Sequence, residues 1–329
     1  MEKPNIPIMS ELKSQVIKCS HPIDPISWAY MKELREHNKT KKVYAVDPYA
    51  EVYQFRDNLY GIYTDNADGG GAPWMFLIIG PEKAMLIDTS FGIGDLKGLI
   101  NEITGNMPLV VANTHAAYDH SFGNHQFDQI HCHEYSVPRM LRQYNSHIWD
   151  YLFDENGKNK WLDFDRDDIP PFKDYEIVPC RNGHVFDLGK NYKVELVWLP
   201  GHQPGHSAYL DRNNRILFAG DDTCSETIGI GGGPKPGVRG DPYNKYATVT
   251  AFRDELSKLV ERMDEYDSVF PSHFIVDVDS SIMKSILDTC NAIIANKDSH
   301  DYLYDTNGFT TKRKFIRGYG TLQYRDSVI

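Results

Sequence analysis

From Ala50 the chain alternates apolar and polar positions with a period of two. The pattern predicts a meander of strands through Val52 and Gln54, Leu59 to Tyr63, Met75 to Ile79 and Ala84 to Ile87. The period then lengthens. Leu96 to Ile103 predicts a helix that carries the chain back to a strand at Leu109 to Ala112, a βαβ crossover. After a polar loop, Gln129 to Glu134 predicts a short strand and Ser136 to Tyr144 a helix. Strands recur at Tyr175 to Pro179, Val185 to Leu188, Val194 to Leu199, Ala208 to Asp211 and Ile216 to Ala219. Thr248 to Met263 and Ser280 to Ile294 predict amphipathic helices on either side of a strand that ends at His273.

Three stretches stand apart from this pattern. Residues 1–42 form an N-terminal extension in which Ile26, Trp28, Met31 and Leu34 recur at helical spacing, predicting an amphipathic helix over Ile26 to His37. Residues 145–172 carry Trp149, Tyr151, Phe153, Trp161 and Phe164 among many charges, more aromatic surface than a solvated loop needs. Residues 300–329 mix Lys312, Arg313, Lys314 and Arg317 with tyrosines and phenylalanines, predicting a closing hairpin or the arm of a homodimer. Two glycine-rich connections, 65–73 and 229–242, are turns. The second lacks a Gly-Lys-Ser/Thr ending and is no phosphate cradle, although Lys235 and Arg239 are placed to meet an anionic group.

Composition narrows the partners. A hydrophobic content of 41% over 329 residues is ample for a core. A net charge of −11 argues against a nucleic-acid partner, which needs a cationic face. Cys19, Cys132, Cys180, Cys224 and Cys290 are odd in number and widely spaced, so they read as reduced thiols of a cytoplasmic protein, with Cys224 close enough to Asp221 to line a pocket. No stretch approaches the roughly 20 apolar residues of a membrane span, and Met1 to Ser10 shows no secretory signal.

The chemistry concentrates where the strand Leu109 to Ala112 ends. Asn113-Thr114-His115-Ala116-Ala117-Tyr118-Asp119-His120 packs imidazole and carboxylate within a few residues, the ligands that zinc or ferrous iron accept. This segment resembles the His-x-His-x-Asp-His signature of the metallo-β-lactamase fold superfamily. Leu199-Pro200-Gly201-His202-Gln203-Pro204-Gly205-His206 is similar to its Pro-Gly-His turn, the strand ending in Asp221 to its bridging carboxylate, and Val269-Phe270-Pro271-Ser272-His273 to its last ligand strand. The four blocks occur in the family's order and extend the likeness over about residues 50 to 295.

The resemblance implies an α/β fold, the four-layer αβ/βα sandwich, over residues 43–299, with the 145–172 insertion as a cap over the site and Trp74 as a substrate contact beneath a hairpin loop. It implies metal ligands at His115, Asp119, His120, His202, Asp221 and His273, and a structural role for Asp88-Thr89. One position departs: the signature's second His is Ala117. The site of His115, His202 and Asp221 is thereby short of a ligand, whereas that of Asp119, His120, Asp221 and His273 is intact. His125 or water are candidates to fill the gap, and His131 and His133 are weaker metal candidates.

The expected cofactor is Zn2+, one or two ions, with iron or manganese as alternatives. The expected reaction is hydrolysis of a small-molecule ester, lactone or thioester, with Asp119 orienting the water and Tyr118 or His206 donating to the oxyanion. Two other readings stay open: a non-hydrolytic metalloenzyme (an iron dioxygenase on His115, His202 and Asp221, or a lyase or isomerase), and a ligand-binding protein with a degenerate site.

Overall fold

The computed structural model describes residues 37–64, 67, 72–160, 162–232, 240–306 and 308–329. The helix expected over Ile26 to His37, and Trp161, Lys235 and Arg239, lie outside them, except His37 at the helix's end.

Two sheets face each other. The first runs in sequence order: β1 (Lys42–Tyr44), β2 (Asp47–Arg56), β3 (Leu59–Thr64), β4 (Trp74–Ile79), β5 (Ala84–Ile87), β6 (Leu109–Ala112), β7 (Gln129–His133) and β8 (Glu176–Cys180). It is an antiparallel meander as far as β5 and parallel from there on. The switch occurs at α1 (Leu96–Thr104). There the Asp95 carboxylate accepts the Gly98 N–H, and Gly105 ends the helix in the left-handed region at φ 66°. The second sheet comprises β9 (Val185–Asp187), β10 (Lys193–Trp198), β11 (Ser207–Asp211), β12 (Ile216–Gly220), β14 (Ser268–Pro271) and β15 (Val278–Asp279), in the order β15-β14-β12-β11-β10-β9.

Alternation within the strands builds the layers. On β4, Trp74, Phe76 and Ile78 point between the sheets, where they meet Leu196, Tyr209, Phe218 and Phe270. Met75 and Leu77 point outward, toward Leu99 and Ile100 of α1. On β12, Phe218 faces inward while Leu217 and Ala219 face α4 (Val249–Val260) and α5 (Ile282–Ala295). Burial of both faces explains the unbroken apolar run of β4, and the α/β/β/α layering is the sandwich expected from the sequence.

Two additions flank the sandwich. The insertion folds around a small core of its own, in which Trp149, Leu152, Phe153, Leu162, Phe164 and Ile169 pack with Tyr49, Phe91 and Phe122. The last segment forms β16 (Tyr302–Thr306), β17 (Phe309–Ile316) and β18 (Gly320–Tyr324), which join β13 (Thr227–Gly229) in a third sheet. Ile316, Leu322 and Tyr324 bury themselves in the α4/α5 core.

Candidate metal centre

Every candidate ligand sits just beyond the carboxyl end of a strand. β6 leads into the loop of His115 and the short helix α2 (Tyr118–Ser121), which carries Asp119 and His120. β10 leads into the turn of His202, β12 into Asp221 and β14 into His273. Gly220 makes the turn at β12: its φ is 52°, and a Cβ there would lie 2.3 Å from His206 Nε2. Asp88, after β5, also takes a positive φ of 65° and turns its carboxylate under the loop.

Four imidazoles are held in the same way. His115 Nδ1 lies 3.0 Å from Thr114 Oγ1, whose own proton goes to Asp88 Oδ2 at 2.8 Å. His120 Nδ1 donates to Asp88 Oδ2 at 2.9 Å, His202 Nδ1 to the Gly229 carbonyl at 2.9 Å, and His273 Nδ1 to the Ala72 carbonyl at 3.0 Å. Each acceptor takes the Nδ1 proton, so each ring turns Nε2 inward as the atom left for a metal, as metal-binding histidines do when an outer partner fixes the ring.

The inward atoms form a compact cage. His120 Nε2 is 3.2 Å from His273 Nε2, 3.5 Å from Asp119 Oδ2 and 3.3 Å from Asp221 Oδ1. His273 Nε2 is 3.3 Å from Asp119 Oδ2 and 3.5 Å from Asp221 Oδ1. A tetrahedral ion with arms of about 2.1 Å spaces its ligands about 3.4 Å apart, so these distances are five of the six edges of such a tetrahedron. The other carboxylate oxygen, Asp221 Oδ2, faces His202 Nε2 at 3.6 Å and His115 Nε2 at 3.8 Å. His115 Nε2 is buried without a hydrogen-bond partner. Donor atoms of His115, His120 and Asp221 lie within 4.8 Å of one another, as do those of Asp119, His120 and His273. One orphaned imidazole nitrogen beside a carboxylate, among rings whose outer nitrogens are already engaged, fits a divalent cation.

Electrostatics divide the rings. Burial opposes charge on His120, but Asp119, Asp221 and Asp88 outweigh it and raise its pKa well above the ordinary value. His273 is raised for the same reason by Asp221 and Asp119. His115 goes well below its ordinary value, through burial first and then the neighbouring imidazoles; burial also lowers His202. Asp119 and Asp221, although buried, are lowered by the histidines facing them. The side chains of Asp119, Asp221 and His202 keep 11%, 15% and 17% of their surface exposed, while His115 and His120 keep none, so the cage opens along the first three.

Several expectations are corrected. His206 has no donor to offer an oxyanion: its Nδ1 bonds the Leu199 carbonyl at 3.0 Å beside Asp222 Oδ2, and its Nε2 accepts the Asp221 N–H at 3.0 Å. It braces the Asp221 turn. Trp74 is fully buried among Tyr53, Phe55, Tyr63 and Phe76 and is no substrate contact. His125 bonds the Pro171 carbonyl and packs on Trp149 and Phe172, so it does not replace the imidazole missing at Ala117. His131 bonds the Val111 carbonyl and His133 stacks on Trp198, outside the cage. Cys224 lies beneath Asp221 with its thiol buried, its Sγ 3.9 Å from Asp221 Oδ1. Tyr118 is partly exposed, its ring on Phe91 and Phe122. Of the insertion's aromatics, Trp149, Phe153 and Phe164 are taken up by its own core, while Tyr151 is exposed.

Other contributors were missed. Thr114 and the carbonyls of Ala72 and Gly229 set ring tautomers, and Asp222 accepts the His202 N–H at 3.0 Å. Thr114 and Asp222 adjoin ligands in sequence, which was the available signal; the carbonyls had none.

Known proteins resemble this chain in sequence and in fold. A family model described as Metallo-beta-lactamase superfamily matches residues 68–273. The chain is 24% identical over 236 residues to acyl-coenzyme A thioesterase MBLAC2 of Homo sapiens, across 66% of this chain and 78% of that protein. The protein of the same name from Gallus gallus is 23% identical over 219 residues, across 63% and 74%. Among solved structures, a metallo-beta-lactamase from Pontibacter korlensis shares the fold with a TM-score of 0.51 at 18% identity, covering 74% of this chain and 99% of that one. Because the family model alone spans more than half of the chain, the protein belongs to the metallo-beta-lactamase superfamily of hydrolases.

Proposed function

We propose that this protein is a zinc-dependent hydrolase of a small-molecule thioester, with an acyl-coenzyme A as the substrate class. The observation that carries the metal reading is the cage of Asp119, His120, Asp221 and His273, whose spacing of 3.2–3.5 Å is that of ligands around a tetrahedral ion. A divalent cation there would lower the pKa of a bound water and polarise the thioester carbonyl. The chain's own residues do the rest. Asp88 and the Ala72 carbonyl hold His120 and His273 with Nε2 turned into the cage, and Asp119, at the open edge, would orient the attacking water by accepting its hydrogen bond.

The thioester rests on the relatives' name and on the leaving group. A thiolate, with a pKa near about 8.5, departs with little help from a general acid, whereas an alkoxide or amine needs one. That suits a centre whose neighbouring imidazole, His206, has both nitrogens engaged. The buried free thiols of Cys132, Cys180, Cys224 and Cys290 suit a reducing compartment such as the cytoplasm. Among the described residues no helix is long and apolar enough to cross a membrane.

The test is direct. Protein purified without added metal is analysed for zinc, iron and manganese, then assayed with short- and long-chain acyl-coenzyme A by release of free thiol. About one zinc per chain, with hydrolysis lost to a chelator and restored by Zn2+, is the expected result. Iron with no thiol release would favour the oxygenase reading, and a chain that neither holds metal nor cleaves thioesters when zinc is supplied would end both.

A further inference from the structure

Trp74 starts β4, in the half of the sandwich opposite His273, yet it brackets that ligand on both sides. Its backbone N–H donates to the Ser272 carbonyl at 2.7 Å and its indole Nε1–H to the Phe274 carbonyl at 3.2 Å. Between these two bonds, His273 Nδ1 donates to the Ala72 carbonyl, two residues before Trp74. Ser272 N–H in turn donates to the Gly220 carbonyl at 3.1 Å, immediately before Asp221.

Phe274 sits at φ 60°, a left-handed conformation that costs a bulky residue strain and persists only where surrounding contacts impose it. The indole bond is such a contact. The indole itself cannot swing away, because Tyr53, Phe55 and Tyr63 meet it edge-on with centroids 5.2–5.8 Å away. A phenylalanine would keep an aromatic ring against these neighbours at the cost of some buried volume, but it would lack the N–H.

We infer that Trp74 is the positioning residue for His273: its indole N–H holds the Phe274 carbonyl, and thereby the ligand's backbone, in the geometry that aims Nε2 into the cage. The inference rests on the metal reading above. It makes the zinc affinity of a C-terminal ligand depend on a core residue of the N-terminal sheet.

The experiment compares Trp74→Phe with Phe76→Leu, a change of size in the same inter-sheet core that leaves the indole bond in place. Thermal unfolding of each full-length chain measures lost packing, and zinc affinity by competition with a chromophoric chelator measures lost positioning. Removing a partner that orients a metal ligand typically costs about 10–100-fold in metal affinity. Trp74 acts one bond further out, so Trp74→Phe is expected to weaken zinc binding by about tenfold. Phe76→Leu is expected to lower the melting temperature by a similar amount with zinc affinity within about twofold of the parent. Equal losses of affinity in the two variants, or none in Trp74→Phe, would overturn the inference while leaving the metal reading intact. A parent chain that takes up no zinc would overturn both.

Discussion

Asp221 divides the cluster into two sides that share a plan but differ in completeness. On one side its Oδ1 meets His120 and His273, with Asp119 closing a four-donor cage at 3.2–3.5 Å. On the other its Oδ2 meets only His115 and His202, at 3.8 and 3.6 Å. All four rings have an anchored Nδ1, so the difference lies in the number and spacing of donors and not in their orientation. An octahedral ion with arms of about 2.1 Å sets adjacent ligands about 3.0 Å apart. The His115 side would have to contract to hold one, whereas the Asp119 side already has the spacing of a tetrahedral set.

The largest effect should follow from removing the residue both sides share. Asp221→Asn weakens the bridging carboxylate, and the loss of several kcal/mol of metal-derived stabilisation corresponds to about 10^3-fold or more in kcat/KM for thioester hydrolysis. Metal content should fall with it; full zinc retention would show that Asp221 bridges nothing. Next comes a direct contrast between the sides. His273→Ala should cost about 10^3-fold in kcat/KM and most of the bound metal, and His202→Ala only about tenfold with metal retained. Equal losses would mean that the two sides act as one dinuclear unit.

The contrast between sides was partly legible in the sequence. Ligand spacing, the order of the four blocks and the alanine at 117 pointed to both half-sites, and the short apolar runs of β6, β10, β12 and β14 placed the strands that deliver them. What escaped notice was carried by atoms every residue has. The Ala72 and Gly229 carbonyls fix two tautomers, and no side chain marks them in the sequence. Side-chain type misled where one residue suits two jobs. His206 sits in a ligand motif yet bonds backbone through both nitrogens, and Trp74 follows a glycine-rich turn yet belongs to the core. The insertion's aromatics can roof a pocket or close a core equally well by composition; only long-range contacts to Phe91 and Phe122 decide. The pairing of β13 with β18, across nearly a hundred residues, is of the same kind.

Completing the weaker side should sharpen the comparison. Ala117 has an extended backbone, φ −121° and ψ 157°, which any residue adopts without strain. Ala117→His restores the signature's second imidazole beside His115 and His202. Elemental analysis after zinc loading and desalting should rise from about one ion per chain toward two. A variant that folds normally and still holds one ion would show that position 117 does not face the His115 side.

Acidification should then separate the two sides by slope. On the Asp119 side, His120 and His273 are raised by the carboxylates around them, so without metal they keep their protons to higher pH than an ordinary imidazole. On the other side, burial lowers His115 and His202, which stay neutral to lower pH. A cation entering the first side displaces protons and one entering the second does not. The sign follows: a ligand with a raised pKa loses its metal to protons at a higher pH than one with a lowered pKa. As pH falls from about 8 to about 6, zinc affinity of the Asp119 side should drop by about tenfold per unit for each proton displaced. That of the His115 side, measured in Ala117→His, should stay nearly level. The four-donor side binds tighter at neutral pH, so the gap between the sides narrows toward acid. Parallel slopes in the two titrations would mean that the carboxylates do not distinguish the rings, leaving donor count as the only difference between the two sides.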